Sequence, residues 1–498
     1  VGWLDNVIGW ISPEAGLRRE RMRQALEMAR SYEGARHGRR TAGWSSGSGS
    51  ANAEIGPSLT TLRNRSRQLI RDNSYAARAI EAHVSSAIGT GIVGKYAERL
   101  PSGLYAKWCE QCDADGGLDF YGLQALAARG EYESGEVFIQ RIFPESNRGL
   151  EIPLQLRVLE SDFLDSTKTE RLSNGNFVIT GVEHDASGQR VAYWFFDSHP
   201  GEVIALTGFG LKSRRVPADQ VIHLYVRKRP QQVRGVPRLA AAMMRLRDLD
   251  EYEEAELVRK KIESCFAAFV TTSDDRQTLA NQVTTTPSGP RIETVSPGMI
   301  NYLRPGESVE FGAPSGADNS QYVMNQLYAI AAGAGVTFEQ LTGNYSRATF
   351  SSVRAGVVEY RQMVEAYRWL TFIPLVCRRV AMWFNEAAMR AGRTRTLDYV
   401  PKWTPPTWAW VDPLKDVQAK KEEISGGLIT WSEAVRERGY DPDEMRQEMK
   451  TEREQLAEDG ITLDTTSKAS AGASAPADPD DSATADGGDD AGAPAADS

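Results

Sequence analysis

The chain has 498 residues, 41% of them hydrophobic, enough for a large core and by length for about three domains. Its net charge of -9 excludes a protein held statically on nucleic acid by bulk positive charge, and four Cys are too few for a disulfide framework, so a reducing compartment is expected. The longest apolar run, Trp369 to Cys377, is too short to span a bilayer, no signal peptide is visible, and a chain opening on Val1 instead of Met is expected to be trimmed or processed.

The charge is uneven. Residues 1–72 hold twelve Arg against seven acidic residues, a balance of +5, whereas residues 464–498 hold eight Asp and one Lys, a balance of -7. Residues 1–55 read as an arm, with a helix over Arg18 to Tyr32 and a Gly/Ser loop after it. Leu59 to Ile88 reads as helices that bury Ile70, Ala77, Ile80 and Val84. Arg63, Arg65, Arg67 and Arg71 form a basic helix face there, read as solvated ahead of a direct DNA contact.

Leu118 to Arg129 is a further helix, followed by strands over Glu136 to Phe143, Leu154 to Leu159, Phe177 to His184 and Val191 to Asp197. Asp185-Ala186-Ser187-Gly188 joins the last two as a hairpin turn. Val236-Pro237 opens a long helix through about Phe266, in which DLDEYEEAE places six carboxylates ahead of Arg259, Lys260 and Lys261. Thr271 to Ala317 is rich in Thr, Ser, Gly and Pro and should hold a hairpin over Met299 to Phe311.

Asp318 to Gly392 predicts a helix, a loop of about sixteen residues and a second helix of roughly forty. The first helix ends in Ala331, Ala332, Gly333, Ala334 and Gly335, which should loosen the turn into a hinge. The second carries Val353, Val357, Tyr360, Val364 and Tyr367 as an apolar seam, with Pro374 inside it as an expected kink. WTPPTW then closes the core, and short helices follow over Leu414 to Gly426, Trp431 to Arg438 and Pro442 to Glu458. The Ala, Asp, Gly and Ser of residues 464–498 bury too little apolar surface to fold.

Four patterns imitate catalytic motifs. Gly89 to Lys95 fits GxxxxGK, but Tyr96 stands where Ser or Thr binds magnesium, and the segment follows a helix instead of a strand. Cys109 and Cys112 have redox spacing without a βαβ frame or a second Cys pair. Asp113-Ala114-Asp115 begins like a calcium loop, but Leu118 and Gln124 replace its Gly and Glu. Gly43 to Gly47 fits GxSxG inside a Gly/Ser loop. None completes a catalytic constellation, so the reading is of a protein that is not an enzyme and needs no cofactor or metal. An enzyme using Gly89 to Lys95 or the Cys109/Cys112 pair is the alternative, and a non-channel capsid or scaffold protein is a third.

The order of signals carries a resemblance. AIAAGAGVTFEQLTGNYS is followed by SSVRAG opening the long helix, then by WTPPTWAWVDPLKDVQAKKEEISGGLITWSEAVRERGYDPDE. Upstream stand RSRQLIRDNSYAARAIEAHVSSAIGTGI and RGVPRLAAAMMRLRDLDEYEEAELV. Together these cover most of Leu62 to Leu463, and the chain resembles the lambda-type portal proteins of tailed phages. The resemblance implies an α+β, mainly helical fold assembled as a ring, usually of twelve copies, at a capsid vertex. It implies a wing (56–234), a first stem helix (235–266), a clip (267–317) and a second stem helix (318–334). A tunnel loop (335–350), a long kinked helix (351–392), a crown (393–463) and an acidic tail (464–498) follow. The implied partners are double-stranded DNA passing through without sequence readout, a terminase that hydrolyses ATP, the major capsid protein and head-completion or tail connector proteins; no membrane is involved. In the tunnel loop Arg347 would meet phosphates, with Asn344 and Thr349 offering weak hydrogen bonds; the bland alternative pairs Arg347 with Glu339 or with the start of the long helix.

Overall fold

The computed structural model describes residues 47–96, 102–144, 149–205, 212–264, 269–271, 301–303, 320–346, 348–397, 399–409 and 413–461, with isolated positions before residue 47. These residues fall into two compact units divided between Val411 and Asp412. The fold is mainly helical α+β. Most of the expected arm and of the clip lies outside the described residues, as do the three middle residues of GxSxG, the second strand of the expected clip hairpin and the acidic stretch 464–498.

In the first unit, α1 (Ala51–Asp72) starts at Ser50, whose hydroxyl accepts from the Ala53 N–H at 3.2 Å. Asn73 separates it from α2 (Ser74–Ala87): its side-chain oxygen caps α2 through the Ala76 N–H at 2.9 Å, and its amide donates to Asp250 at 2.7 Å. Strand β1 (Val93–Lys95), α3 (Ser102–Gln111) and α4 (Phe120–Ser134) follow. Helix α4 begins at Asp119, which accepts from the Gly122 N–H at 2.7 Å, and stops at Gly135 with φ +84°. A Cβ on Gly135 would fall 2.3 Å from the Val236 backbone, so both the turn and the close approach require glycine there.

Strands β2 (Glu136–Ile142) and β3 (Gln155–Glu160) precede β4 (Glu170–Arg171), β5 (Phe177–Ile179), β6 (Val182–His184), β7 (Arg190–Phe196), β8 (Ser213–Pro217) and β9 (Val221–Tyr225). They build a three-stranded antiparallel sheet in the order β3-β2-β9 and a five-stranded meander β4-β5-β6-β7-β8. The Asp185–Gly188 turn stands where expected: Asp185 accepts from the Ser187 and Gln189 N–H groups, both at 2.9 Å. The strand expected over Phe177 to His184 is instead a second hairpin. Thr180 and Gly181 turn it with φ of +46° and +86°, and the Thr180 side chain disguises a turn that glycine normally announces. Phe138, Tyr193, Phe195, Val216 and Val221 form a small core of their own, apart from the larger core that runs through the helices.

The buried charge in this region is paired. Glu136 is fully buried; Arg234 grips both its oxygens, Nη2 donating to Oε1 at 2.5 Å and Nε to Oε2 at 3.0 Å, while His223 Nε2 lies at 3.0 Å and the Gly235 N–H donates at 2.8 Å. Burial alone would raise the Glu136 pKa, but Arg234 and His223 outweigh it and hold the carboxyl well below the usual carboxylate range. The basic face of α1 is likewise partly internal. Arg63 is 2% exposed and donates to Ser161 at 2.6 Å, while Arg67 meets Asp162 at 2.6 Å and Glu160 at 2.8 Å. Only Arg65 and Arg71 keep to the solvated face expected for all four, because Asp162 sits over the other two.

The helix expected from Val236 starts later. Residues Arg238–Ala241 form a short 3-10 turn, and α5 runs over Met243–Ser264. Strands β10 (Phe269–Thr271) and β11 (Asn301–Leu303) pair in parallel. Helix α6 (Ser320–Ala334), a short α7 (Phe338–Thr342) and α8 (Phe350–Tyr367) lead into a π-helical stretch, Arg368–Cys377, and then α9 (Arg378–Arg390). The forty-residue helix is therefore continuous, and Pro374 sits in a widened segment. Buried positions Val364, Arg368, Phe372, Val376 and Val380 recur every four residues, slower than the 3.6-residue α period. Widening the helix keeps them on one face, and Trp369 and Leu370 on the turn before Pro374 are exposed. Strand β12 (Lys402–Thr404) pairs with β1, so the part of the expected crown before residue 411 stays with the first unit.

The second unit holds α10 (Pro413–Ser425), α11 (Trp431–Arg436) and α12 (Pro442–Glu458). Thr430 caps α11, and Asp441 caps α12 through the Asp443 N–H at 2.7 Å, with Pro442 in the first turn.

Candidate functional site

The loop between α6 and α8 is built on α2. The Ala/Gly end of α6 is a close-packed stop, in place of the expected loose hinge. Ala331 and Ala334 are buried, a Cβ on Gly333 would lie 3.1 Å from the Ala242 Cβ, and the Tyr132 hydroxyl donates to the Ala334 carbonyl at 2.8 Å. Gly335, at φ +72°, lets the Val336 N–H return to the Ala331 carbonyl at 3.1 Å, the pattern of a glycine-terminated helix.

Helix α7 then occupies the first half of the expected tunnel loop. Thr337 and Gln340 form a reciprocal capping box, and the chain leaves at Gly343 with φ +68°. Phe338 and Leu341 are buried, Phe338 stacks on Tyr328 with centroids 4.3 Å apart, and Arg78 of α2 donates to the Gln340 carbonyl at 3.1 Å. Among the described residues, Gly343 to Ser346 and Thr349 form the exposed tip. Asn344 is exposed and folds the tip: its side-chain oxygen accepts from the Ser346 N–H at 2.9 Å. Tyr345, which sequence reasoning did not single out, is 57% exposed at the tip.

Thr349 is the N-cap of α8. Its hydroxyl accepts from the Ser352 N–H at 3.3 Å, and the Ser352 hydroxyl accepts from the Thr349 N–H at 3.0 Å. Its hydrogen bonds are therefore directed to the helix it starts. Arg347 lies outside the described residues.

The return helix is pinned to α2 as well. The Tyr360 hydroxyl donates to the Ala82 carbonyl at 3.2 Å. Arg368, 2% exposed, donates to the Ala87 carbonyl at 2.9 Å and to the Ser86 carbonyl at 2.6 Å, placing a cation at the C-terminus of α2. Burial lowers its pKa, and Glu365 at 2.5 Å together with the Trp408 ring at 4.7 Å offsets that cost. Both flanks of the tip are held to one helix, and Gly343 to Ser346 between them are left to solvent.

The chain matches the family model described as phage portal protein, lambda family, over residues 37–368. The match spans more than half of the chain and includes α1 to α8 and the whole loop. The chain belongs to the lambda family of phage portal proteins. It is 26% identical to a probable portal protein of Halomonas phage phiHAP-1, over 85% of this chain and 86% of that one. It is 23% identical to portal protein B of Escherichia phage lambda, over 81% and 85% respectively, and 22% identical to the portal protein of Escherichia phage N15, over 81% and 86%. A solved chain from the neck of a native GTA particle is similar at a TM-score of 0.41 and 16% identity, covering 74% of this chain and 92% of that one.

This portal chain carries its acidic belt on α5. Asp248, Asp250, Glu251, Glu253 and Glu254 are exposed; Glu251 pairs with Arg247 at 2.8 Å and Glu256 with Arg259. Partial burial, with Asp250 close by, raises the Glu253 pKa. The motif-like segments serve packing in this fold. Gly91, at φ +112°, and Gly94 leave room for the Tyr121 and Trp403 rings, which a Cβ would meet at 2.3 and 2.5 Å. Cys109 and Cys112 are buried in and just after α3, and burial pushes the Cys109 thiol up to about 12, away from a reactive thiolate. Asp113 accepts from the Asp115, Gly117 and Leu118 N–H groups at 3.1, 2.9 and 2.9 Å, so it organises a backbone turn. Among the described residues no helix is long and apolar enough to cross a membrane.

Proposed function

We propose that the chain is one subunit of a ring, of twelve copies in the usual form of this family, that makes the channel at one capsid vertex for packaging and ejecting double-stranded DNA. The family match over residues 37–368 carries this reading. The ring works mechanically and is not an enzyme; a terminase supplies the ATP hydrolysis, and head-completion and tail connector proteins join later. The major capsid protein surrounds it in the virion.

Under this reading residues 56–234 form the wing, 235–266 and 318–334 the stem, 267–317 the clip, 351–392 the long helix and 393–463 the crown. The tip at 343–349 faces the DNA. One Arg347 per subunit meets phosphates, Asn344 adds hydrogen bonds, and such contacts track the backbone without reading bases. The carboxylates of α5 repel phosphate, which keeps DNA sliding where they face the lumen. Heads assembled with and without the chain test the proposal. Heads lacking it should retain no packaged DNA; heads that fill and hold DNA without it would overturn the channel role.

A further inference from the structure

Helices α11 and α12 line a groove of about 610 Å³ in the second unit. Trp431, Met449 and Ala457 supply its apolar lining, and Arg446, Lys450, Arg453 and Glu454 its charge, a local excess of two positive charges. Positions 446, 450, 453 and 457 recur at steps of three and four, so one face of α12 presents them together. The Arg446 guanidinium lies over the Trp431 ring, 5.8 Å from its centroid. Its ion pair with Asp443 (3.2 Å) and that of Lys450 with Glu454 (4.0 Å) are exposed and weak, and Arg453 has no ion-pair partner among the described residues.

Such a face fits an acidic, extended segment, and the chain carries one next to it. The described part of α12 and its cap ends at Ile461, three residues before Asp464. The stretch that follows holds eight Asp against one Lys, with Asp478, Asp480 and Asp481 within four positions. The basic face from residue 446 to 457 is roughly 17 Å long at an α-helical rise. The sixteen residues between Ile461 and Asp478 reach up to about 50 Å when extended, so the acidic cluster can lie back along α12 without strain. Covalent attachment at this distance gives an effective concentration on the order of millimolar.

We propose that residues 464–498 dock onto the α11–α12 groove, their carboxylates on Arg446, Lys450 and Arg453. The contact is electrostatic and solvent-facing, so salt weakens it. It does not depend on the portal reading.

The test uses the full chain, a chain ending at Leu463, and a fluorescent peptide of residues 464–498, read by anisotropy. The peptide should bind the shortened chain in 50 mM NaCl and bind at least tenfold more weakly in 500 mM. The full chain, its groove already covered, should bind the peptide at least tenfold more weakly than the shortened one. R446Q/K450Q/R453Q in the shortened chain should cost tenfold or more, with circular dichroism checking its fold. A peptide with all eight Asp changed to Asn should not bind, which tests the charge contact without altering the protein. No binding to the shortened chain, or equal binding to the full and shortened chains, or undiminished binding of the Asn peptide, would each overturn the proposal.

Discussion

At the scale of single residues, Glu136 ties β2 to His223 of β9 and to Arg234 beyond that strand. Removing one partner from a buried pair leaves the other charge without compensation. Glu136→Gln should therefore destabilise the first unit by about 3–5 kcal/mol, read as a lowered denaturation midpoint. Replacement of exposed Glu254 should shift it by less than about 0.5 kcal/mol. His223 sets an acid limit. Burial lowers its pKa to about 4, with Glu136 opposing the shift. The folded chain then binds fewer protons than the unfolded one between about pH 6.5 and 4, so this contribution to stability is complete above that window and lost as pH falls through it. His223→Asn should flatten that part of the stability curve, measured by denaturant unfolding from pH 7 to pH 4.

At the scale of elements, the loop separates two roles that its sequence mixes. Thr349 starts α8, and Thr349→Ala should cost about 1 kcal/mol of stability through the lost cap. Arg347→Ala should leave assembly normal and impair DNA packaging or retention in assembling particles. Normal packaging and retention would remove the contact role, and failed assembly would make Arg347 structural.

Much of this level was legible. Apolar spacing marked α6, α8 and α9, and Asp185–Gly188 marked its hairpin. What was hidden has physical reasons. Thr180 at positive φ conceals a turn, and the four-residue period around Pro374 looks like an ordinary α seam until the helix widens. Helix α7 is only five residues long, although its Thr337/Gln340 capping box stood in the sequence as a signal. Arg63 and Arg67 look solvated because the carboxylate that takes them in, Asp162, lies about a hundred residues away. Of the candidate site, Asn344 lies exposed at the tip, whereas the cap role of Thr349 could be read only from its geometry with Ser352.

At the scale of the whole molecule, the account predicts an assembly that one chain cannot display alone. Helix α8, the π stretch and α9 keep a buried inner face while Met363, Leu370 and Met382 stay 51%, 78% and 62% exposed. Apolar exposure along so long an element is expected of a surface that neighbours cover. The central claim is that copies of this chain close into a channel. Electron microscopy of the assembled protein, viewed down its symmetry axis, tests it most directly. The account predicts closed rings, of twelve copies, around an open centre wide enough for double-stranded DNA; monomers, open chains or particles without a central opening would contradict it.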